Sequence, residues 1–157
     1  MKYISIFLLA LALGASSTKL KAQDLIGIRG GWYSGITYQH YMSSNNSLEF
    51  IGQFTRGGTN FTALYEIHNS IPDVSGLNFY YGAGGHLGFY QDGGHDLFGD
   101  RYNGHGSVIG VDGIIGIEYF FEPIPLQLSL DYKPALNLGG GDIWLFSDAA
   151  LAVRFVF

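Results

Sequence analysis

Only one arrangement in the sequence resembles a catalytic set: His105 and Ser107 lie two positions apart, and Glu118 follows eleven positions after the serine. A histidine can act as general base for a serine nucleophile when a carboxylate orients its ring. At about 3.3 Å per residue of extended chain, however, Ser107 and Glu118 would stand tens of ångströms apart. The chain also lacks the G-x-S-x-G, P-loop and H-E-x-x-H motifs. We therefore predict no catalytic residue.

A second set of reactive side chains lies in the segment Gln91–Ser107, which combines carboxylates with imidazoles. Such groups bind divalent cations when their spacing brings them together. Here the spacing matches no defined site, and glycines separate the residues. We predict a solvated loop that holds neither a metal ion nor a cofactor. The side chains concerned are Asp92, His95, Asp96, Asp100 and His105.

The last stretch of the chain, Ser147–Phe157, best shows which type of secondary structure the sequence predicts. Alternate residues give one apolar face, and the other face contains Asp148 and Arg154. A period of two with different environments on its faces is typical of a strand. The apolar face consists of Ala149, Leu151, Val153, Phe155 and Phe157.

Seven earlier segments show similar alternation, and no helical pattern separates any of them. In the segment that begins at Leu126, Pro134 cannot donate to a ladder, which predicts a bulge or the rim of the sheet. An even number of consecutive antiparallel strands can close, so that no edge remains unpaired in lipid. We predict an all-β, eight-stranded antiparallel up-and-down transmembrane β-barrel. Its strands are Asp24–Gly31, Ile36–Met42, Ser47–Arg56, Asn60–His68, Leu77–Tyr90, Val108–Phe121, Leu126–Leu138 and Ser147–Phe157.

The N-terminus has the pattern of an export signal. Met1-Lys2 is followed by the apolar run Ile4–Leu13, which is too short for a membrane-spanning helix of roughly 20 residues. We predict a signal peptide at 1–22, cleaved after Ala22 or, alternatively, after Ala15, and a barrel domain at 23–157. The chain contains no cysteine, so it forms no disulfide framework.

Charge excludes one class of partner. Removing Lys2, Lys19 and Lys21 from the eight basic residues leaves five against 13 acidic ones, a formal charge of −8. Nucleic acid is therefore excluded as a partner, because the chain has no basic stripe to meet phosphates. Glycine and aromatic residues are plentiful while charged residues make up only 13% of the chain. This composition is typical of a barrel that turns half of each strand to lipid.

The connections agree with this topology. If the N-terminus begins in the periplasm, the longest connection, Gln91–Ser107, falls on the outer side, where such barrels carry their longer loops. Only Asn69–Gly76 is long for a periplasmic turn.

These features resemble the small eight-stranded outer-membrane barrels of the OmpA transmembrane domain and OmpX type. The signal segment, the strands Tyr132–Leu138 and Ser147–Phe157 and the terminal Phe157 carry the resemblance. It implies a bacterial outer-membrane location, with outer-membrane lipid and the assembly machinery as partners, and a monomer. It also implies that Val153, Phe155 and Phe157 form the assembly signal.

The interior of such a barrel is just wide enough for side chains to fill it. Buried charges there must pair, because an unpartnered ion costs several kcal/mol. We expect the strand of Arg154 to lie beside those of Asp131 and Arg29, and the three cations of the set to neutralise its carboxylates. This lumenal charge network comprises Arg29, Glu66, Asp112, Glu118, Asp131, Lys133 and Arg154.

Aromatic residues cluster near the predicted strand ends, where amphipathic rings form girdles at the membrane interfaces. A ligand-binding aromatic patch, with Trp144 as its chief member, is the alternative interpretation. The predicted girdle comprises Trp32, Tyr33, Tyr41, Tyr90, Tyr119, Phe120, Phe121 and Trp144.

The preferred function is structural: a barrel plugged by its charges that supports envelope integrity or surface interactions. A porin-like narrow channel for ions or small solutes is the first alternative. Some small outer-membrane barrels are lipid A deacylases that use His, Ser and an acidic residue, which makes a lipid A-modifying enzyme the second. The spacing of His105, Ser107 and Glu118 departs from that arrangement. A soluble β-sandwich is a further alternative for the fold.

Overall fold

The computed structural model describes residues 24–55, 58–90, 106–138 and 144–157. Eight β-strands account for nearly all of them. Among these residues, no helix is long and apolar enough to cross a membrane. The strands are β1 (Asp24–Gly31), β2 (Gly35–Tyr41), β3 (Asn46–Thr55), β4 (Gly58–Ser70), β5 (Leu77–Tyr90), β6 (Gly106–Phe121), β7 (Leu126–Asn137) and β8 (Trp144–Val156).

Each strand pairs antiparallel with the next, and β8 pairs with β1, so the sheet closes into a barrel. At the closing seam Ile28 stands opposite Val153. The backbones of Asp24 and Phe157 exchange two further hydrogen bonds of 2.9 and 3.4 Å. Closure leaves no strand of this sheet with an unpaired edge, which confirms the predicted eight-stranded up-and-down barrel.

The two faces of the sheet have opposite chemistry. Large apolar side chains such as Ile28, Phe61 and Leu130 are more than half exposed on the outside. Most buried side chains inside are polar or charged, including Arg29, Glu66 and Arg154. This inverts the arrangement of a soluble protein and is the pattern of a barrel wall that faces lipid. Small apolar residues and a short cluster of Ile51, Leu64, Tyr80 and Ile114 complete the interior.

The strands are longer than predicted where a ladder continues beyond the apolar pattern. β4 begins at Gly58 rather than Asn60 and continues to Ser70, because its pairing with β3 and β5 extends over these positions. The connection 71–76 is therefore shorter than the predicted Asn69–Gly76. β8 similarly begins at Trp144 instead of Ser147.

Pro134 interrupts a ladder without forming the predicted bulge or lying at the rim. Asp112 pairs with Ala135 and Ile115 with Tyr132, so the register between β6 and β7 is the same on both sides of the proline. Pairing is absent only at the intervening Gly113 and Ile114. Pro134 has no N–H to donate, and the neighbouring pairs hold the strand in place without an inserted residue.

The start of β1, the end of β8 and the turns 42–45, 71–76 and 122–125 lie at one end of the barrel, which we call the terminal end. The connections of the opposite, far end include 91–105 and 139–143, whose residues lie outside the described ranges. The predicted signal peptide, 1–22, also lies outside them.

Candidate functional site

The interior of the barrel is the candidate site, because it gathers the described buried charges. Each position follows from strand parity: alternate residues point inward, so Asp131 and Lys133 on β7 share the lumen with Arg154 on β8. Among the described residues, the buried charged groups are three cations, six carboxylates and two histidines. They are Arg29, Lys133 and Arg154; Glu49, Glu66, Asp112, Glu118, Asp131 and Asp148; and His68 and His86.

Arg29 and Asp131 form a two-pronged ion pair. The Arg29 Nη1 and Nη2 atoms donate to Asp131 Oδ2 and Oδ1 at 2.6 and 2.5 Å. Parallel hydrogen bonds of this kind fix geometry as well as charge. The Tyr80 hydroxyl also donates to Asp131 Oδ2, at 3.0 Å. Asp131 is therefore held from two sides of the lumen.

Arg154 organises the other large cluster. Its Nη1 donates to Gln127 Oε1 and Ser129 Oγ, both at 2.8 Å. Its Nη2 donates to Glu49 Oε1, which also accepts from the Thr37 hydroxyl. As predicted, β8 lies between the strands of Asp131 and Arg29, but Arg154 bonds to neither residue's side chain in this cluster. Glu49, which the predicted set omitted, is its ion-pair partner.

Lys133, Asp112 and His86 form a third cluster. Lys133 Nζ donates to Asp112 Oδ1 at 2.8 Å. His86 Nδ1 lies 2.6 Å from Asp112 Oδ2, and its Nε2 lies 2.8 Å from Asn137 Oδ1. Both ring nitrogens of His86 thus face oxygen atoms.

Glu66 and Glu118 meet a histidine rather than the predicted arginine or lysine. His68 Nδ1 lies 2.8 Å from Glu118 Oε1, and its Nε2 lies 3.6 Å from Glu66 Oε2. Gln127 Nε2 donates to Glu118 Oε2 at 2.6 Å, and Gln39 Nε2 to Glu66 Oε2 at 2.8 Å. Strand parity alone did not reveal these partners, because they depend on which strands face each other across the lumen.

Small residues let these side chains reach over an intervening strand. Ala152 of β8 lies between Arg29 and Ser129 in register, so the guanidinium of Arg29 passes over β8 to reach β7. Gly116 of β6 likewise lies between Tyr80 and Asp131. A Cβ added to Gly116 would stand 2.7 Å from both Asp131 Cβ and Tyr80 Cζ.

The same device recurs at two other glycines. Gly27 of β1 separates Arg154 from Thr37, and Arg154 Nε donates to Thr37 Oγ1 at 3.3 Å. Gly110 of β6 separates His86 from Asn137, and a Cβ there would stand 2.3 Å from His86 Cε1. The glycine content of the lumen face therefore makes room for the charge clusters.

The two buried histidines add to the groups that contact the lumenal carboxylates. Three arginine and lysine side chains face six carboxylates, and each of the two histidines contacts at least one of those carboxylates. Glu49 Oε2, Glu66 Oε1 and Asp148 Oδ1 have no hydrogen-bond partner among the described atoms. The lumen can therefore accept additional hydrogen-bond donors without breaking its ion pairs.

The structure does not assemble the His-Ser-Glu set. Ser107 pairs with Phe89 at one end of β6, whereas Glu118 pairs with Asn78 near the other. Glu118 is buried and its carboxylate is occupied by His68 and Gln127. His105 and the rest of the predicted metal-binding loop, 91–105, lie outside the described residues. No group of three metal-ligating side chains occurs in the part of the chain that the structure describes.

The aromatic residues divide between the two faces. Trp32 is exposed, and Tyr119 and Phe121 form an edge-to-face pair with centroids 4.8 Å apart. Tyr41 does not belong to the outer girdle, because it shares the inward parity of Gln39 and donates to Glu118 Oε1 at 3.1 Å. Phe120 packs against Tyr41 with centroids 6.2 Å apart. The side chains of Tyr90 and Trp144 are outside the described set. The alternative ligand-binding patch at Trp144 therefore also lies outside it.

The predicted assembly-signal residues share one face of the closing strand. Val153 and Phe157 are exposed and Phe155 is partly exposed on the outer wall. Their recognition by the assembly machinery remains a prediction.

Two solved structures show where this architecture occurs. The N-terminal β-barrel domain of Pseudomonas aeruginosa OprF superposes with a TM-score of 0.63 at 16% sequence identity, over 86% of this chain and 96% of that one. Neisserial surface protein A superposes with a TM-score of 0.55 at 13% identity, over 86% and 94%. No protein-family model and no curated protein sequence matches the chain. The fold is thus that of the eight-stranded outer-membrane barrels.

Proposed function

We propose that this protein is an integral outer-membrane barrel that works through its surface, in envelope integrity or in surface interactions, while its lumen stays closed. The buried ion pairs in the barrel interior are the observation that most directly supports a closed lumen. Arg29, Lys133 and Arg154 are each only 1% exposed, and each is paired with a carboxylate inside the barrel. An eight-stranded barrel has no spare width for a channel once such side chains fill it.

The outer wall supports the membrane location. Exposed isoleucine, leucine and phenylalanine side chains alternate with lumenal ones on every strand, so the wall suits hydrocarbon rather than water. By the usual placement of short turns in the periplasm, the terminal end faces the periplasm. Outer-membrane lipid and the assembly machinery are the partners that this location implies.

Fractionation together with a gel-shift measurement tests the proposed location. We expect the protein in the outer-membrane fraction, with a different gel mobility before and after boiling, because a closed barrel resists detergent until heated. Recovery in a soluble fraction, without a heat-dependent shift, would support a soluble β-sandwich-like protein instead and overturn the proposal.

A narrow channel for ions or small solutes is the second candidate. The oxygens Glu49 Oε2, Glu66 Oε1 and Asp148 Oδ1, which have no hydrogen-bond partner among the described atoms, favour it, because such acceptors can hold water or cations. In planar lipid bilayers the closed-lumen proposal predicts no discrete conductance steps. Reproducible cation-selective steps from the folded protein, which vanish when it is boiled first, would support the channel.

Enzyme activity is no part of the proposal, because Ser107 and Glu118 stand at opposite ends of β6. Mass spectrometry of lipid A from cells with and without the protein should therefore show identical acylation. A missing acyl chain that depends on the protein would establish a lipid A-modifying enzyme.

A further inference from the structure

The outer wall has a depression of about 540 Å³ that spans several strands. A volume of this size lies in the range of ordinary ligand pockets, roughly 300–1,000 Å³. Small outward-facing residues, Gly52, Ala63 and Gly85, lie at its floor. Bulkier apolar side chains surround them: Ile36, Phe50, Phe61, Leu87 and Ile109.

Strand register explains why the depression forms. Ala63 of β4 stands between Phe50 of β3 and Gly85 of β5. Gly52 of β3 stands between Ile36 of β2 and Phe61 of β4. Small residues on three neighbouring strands thus leave a depression between taller side chains. The ladders there are continuous, so the floor presents no unpaired backbone group.

The depression lies within the apolar wall, nearer the far end of the barrel than the terminal end. Gly52 lies six residues after the start of β3 at Asn46 and three before its end at Thr55, and Gly85 lies eight residues after the start of β5 at Leu77 and five before its end at Tyr90. Towards the terminal end the border of the depression includes Tyr38. The Tyr38 hydroxyl donates to Asp24 Oδ1 at 2.6 Å, and His40 Nδ1 lies 2.8 Å from the same oxygen. Tyr38 therefore joins the border of the recess to a polar cluster nearer the terminal end.

We propose that this recess binds one acyl chain of a membrane phospholipid. The inference rests on the proposed membrane location, since the recess is continuous with the surface that meets lipid. An empty apolar recess forfeits dispersion contacts, and a flexible hydrocarbon chain can follow its floor and restore them. Phenyl and aliphatic rims on both sides hold the chain more firmly than the rest of the wall does. A second copy of the protein is the competing occupant.

Native mass spectrometry of the full chain, released from detergent micelles that contain palmitoyl-oleoyl-phosphatidylethanolamine, tests the proposal. Two variants fill the recess. Ala63→Phe extends an existing Cβ outward, and Gly52→Leu is accommodated because the nearest atom to an added Cβ lies 3.5 Å away. Ala149→Phe is the matched control: it adds the same ring to the outer face of β8, four strands away from β4 around the barrel. A heat-shift gel verifies that each variant is folded.

We expect the unmodified protein and Ala149→Phe to retain one phospholipid under activation that strips the others. Both recess variants should bind it about tenfold more weakly, the effect of displacing roughly two methylene groups from apolar contact. Equal retention by all folded variants would overturn the proposal, as would a lipid-free dimer that Ala63→Phe dissociates. Fractionation of cells reports on the membrane location separately, so a lipid-binding failure does not depend on it.

Discussion

At the scale of single residues, the lumen is stabilised by charges that depend on one another. Arg154 contacts Glu49, Gln127 and Ser129, and it is almost completely buried. Removing one partner of a buried pair leaves the other charged in a poorly hydrated site, which typically costs about 3–5 kcal/mol. The free energy lost when one partner of the pair is removed is therefore larger than the net stabilisation that the intact pair supplies.

Arg154→Ala should therefore lower the temperature at which the folded, fast-migrating band disappears, and lower the free energy of unfolding in urea by about 3–5 kcal/mol. Adding Glu49→Gln to Arg154→Ala should recover part of this loss, because the unpaired charge is removed. Glu122→Gln at an exposed turn is the control, with an expected change within about 0.5 kcal/mol. An unchanged heat transition for Arg154→Ala would contradict the network.

At the scale of elements, the closing seam depends on a lumenal glycine. A Cβ at Gly27 would lie 2.1 Å from the Val153 carbonyl oxygen and 2.8 Å from Arg154 Cγ, so β1 or β8 would have to shift. Gly30, three residues further along β1 on the outer face, has no heavy atom within 4 Å of an added Cβ. The two glycines therefore form a matched pair of sites on one strand.

Gly27→Ala should destabilise the barrel by about 1–3 kcal/mol, the usual cost of overpacking. Gly30→Ala should leave it unchanged or slightly more stable, because the unfolded chain loses freedom. Urea unfolding in micelles, followed by tryptophan fluorescence, measures both. Equal effects of the two substitutions would show that the seam is not packed as described.

The sequence predicted the elements well for a physical reason. Alternation set the faces of β1, β6, β7 and β8, because lipid and lumen impose different chemistry on successive residues. Alternation could not predict that Arg29 pairs with Asp131, because the Arg29 side chain passes across Ala152 of the intervening strand β8. Whether a side chain can do so depends on the tilt and curvature of the wall. Tyr41 was wrongly assigned to the outer girdle because residue type was weighed above parity.

At the scale of the whole molecule, the barrel is an inverted protein whose core is polar and whose outer surface is apolar. Some of the residues that fill the core were visible in the sequence but were not selected: Glu49 and Asp148 share a face with predicted lumenal residues. His68 and His86 were also not selected, although alternation placed them inward. If the interior is closed, as we propose, the protein interacts with other molecules through its outer wall and its loops.

Access of water-soluble reagents to the lumen tests this central claim most directly, and the chain contains no native cysteine to interfere. Ala152→Cys places a thiol where the native side chain is 0% exposed, and Ser34→Cys places one at an exposed turn. In intact outer membranes, a charged, membrane-impermeant thiol reagent should modify Ser34→Cys quickly and leave Ala152→Cys unmodified until the barrel is unfolded by boiling. Modification of both folded variants at comparable rates would show an open lumen and contradict the account.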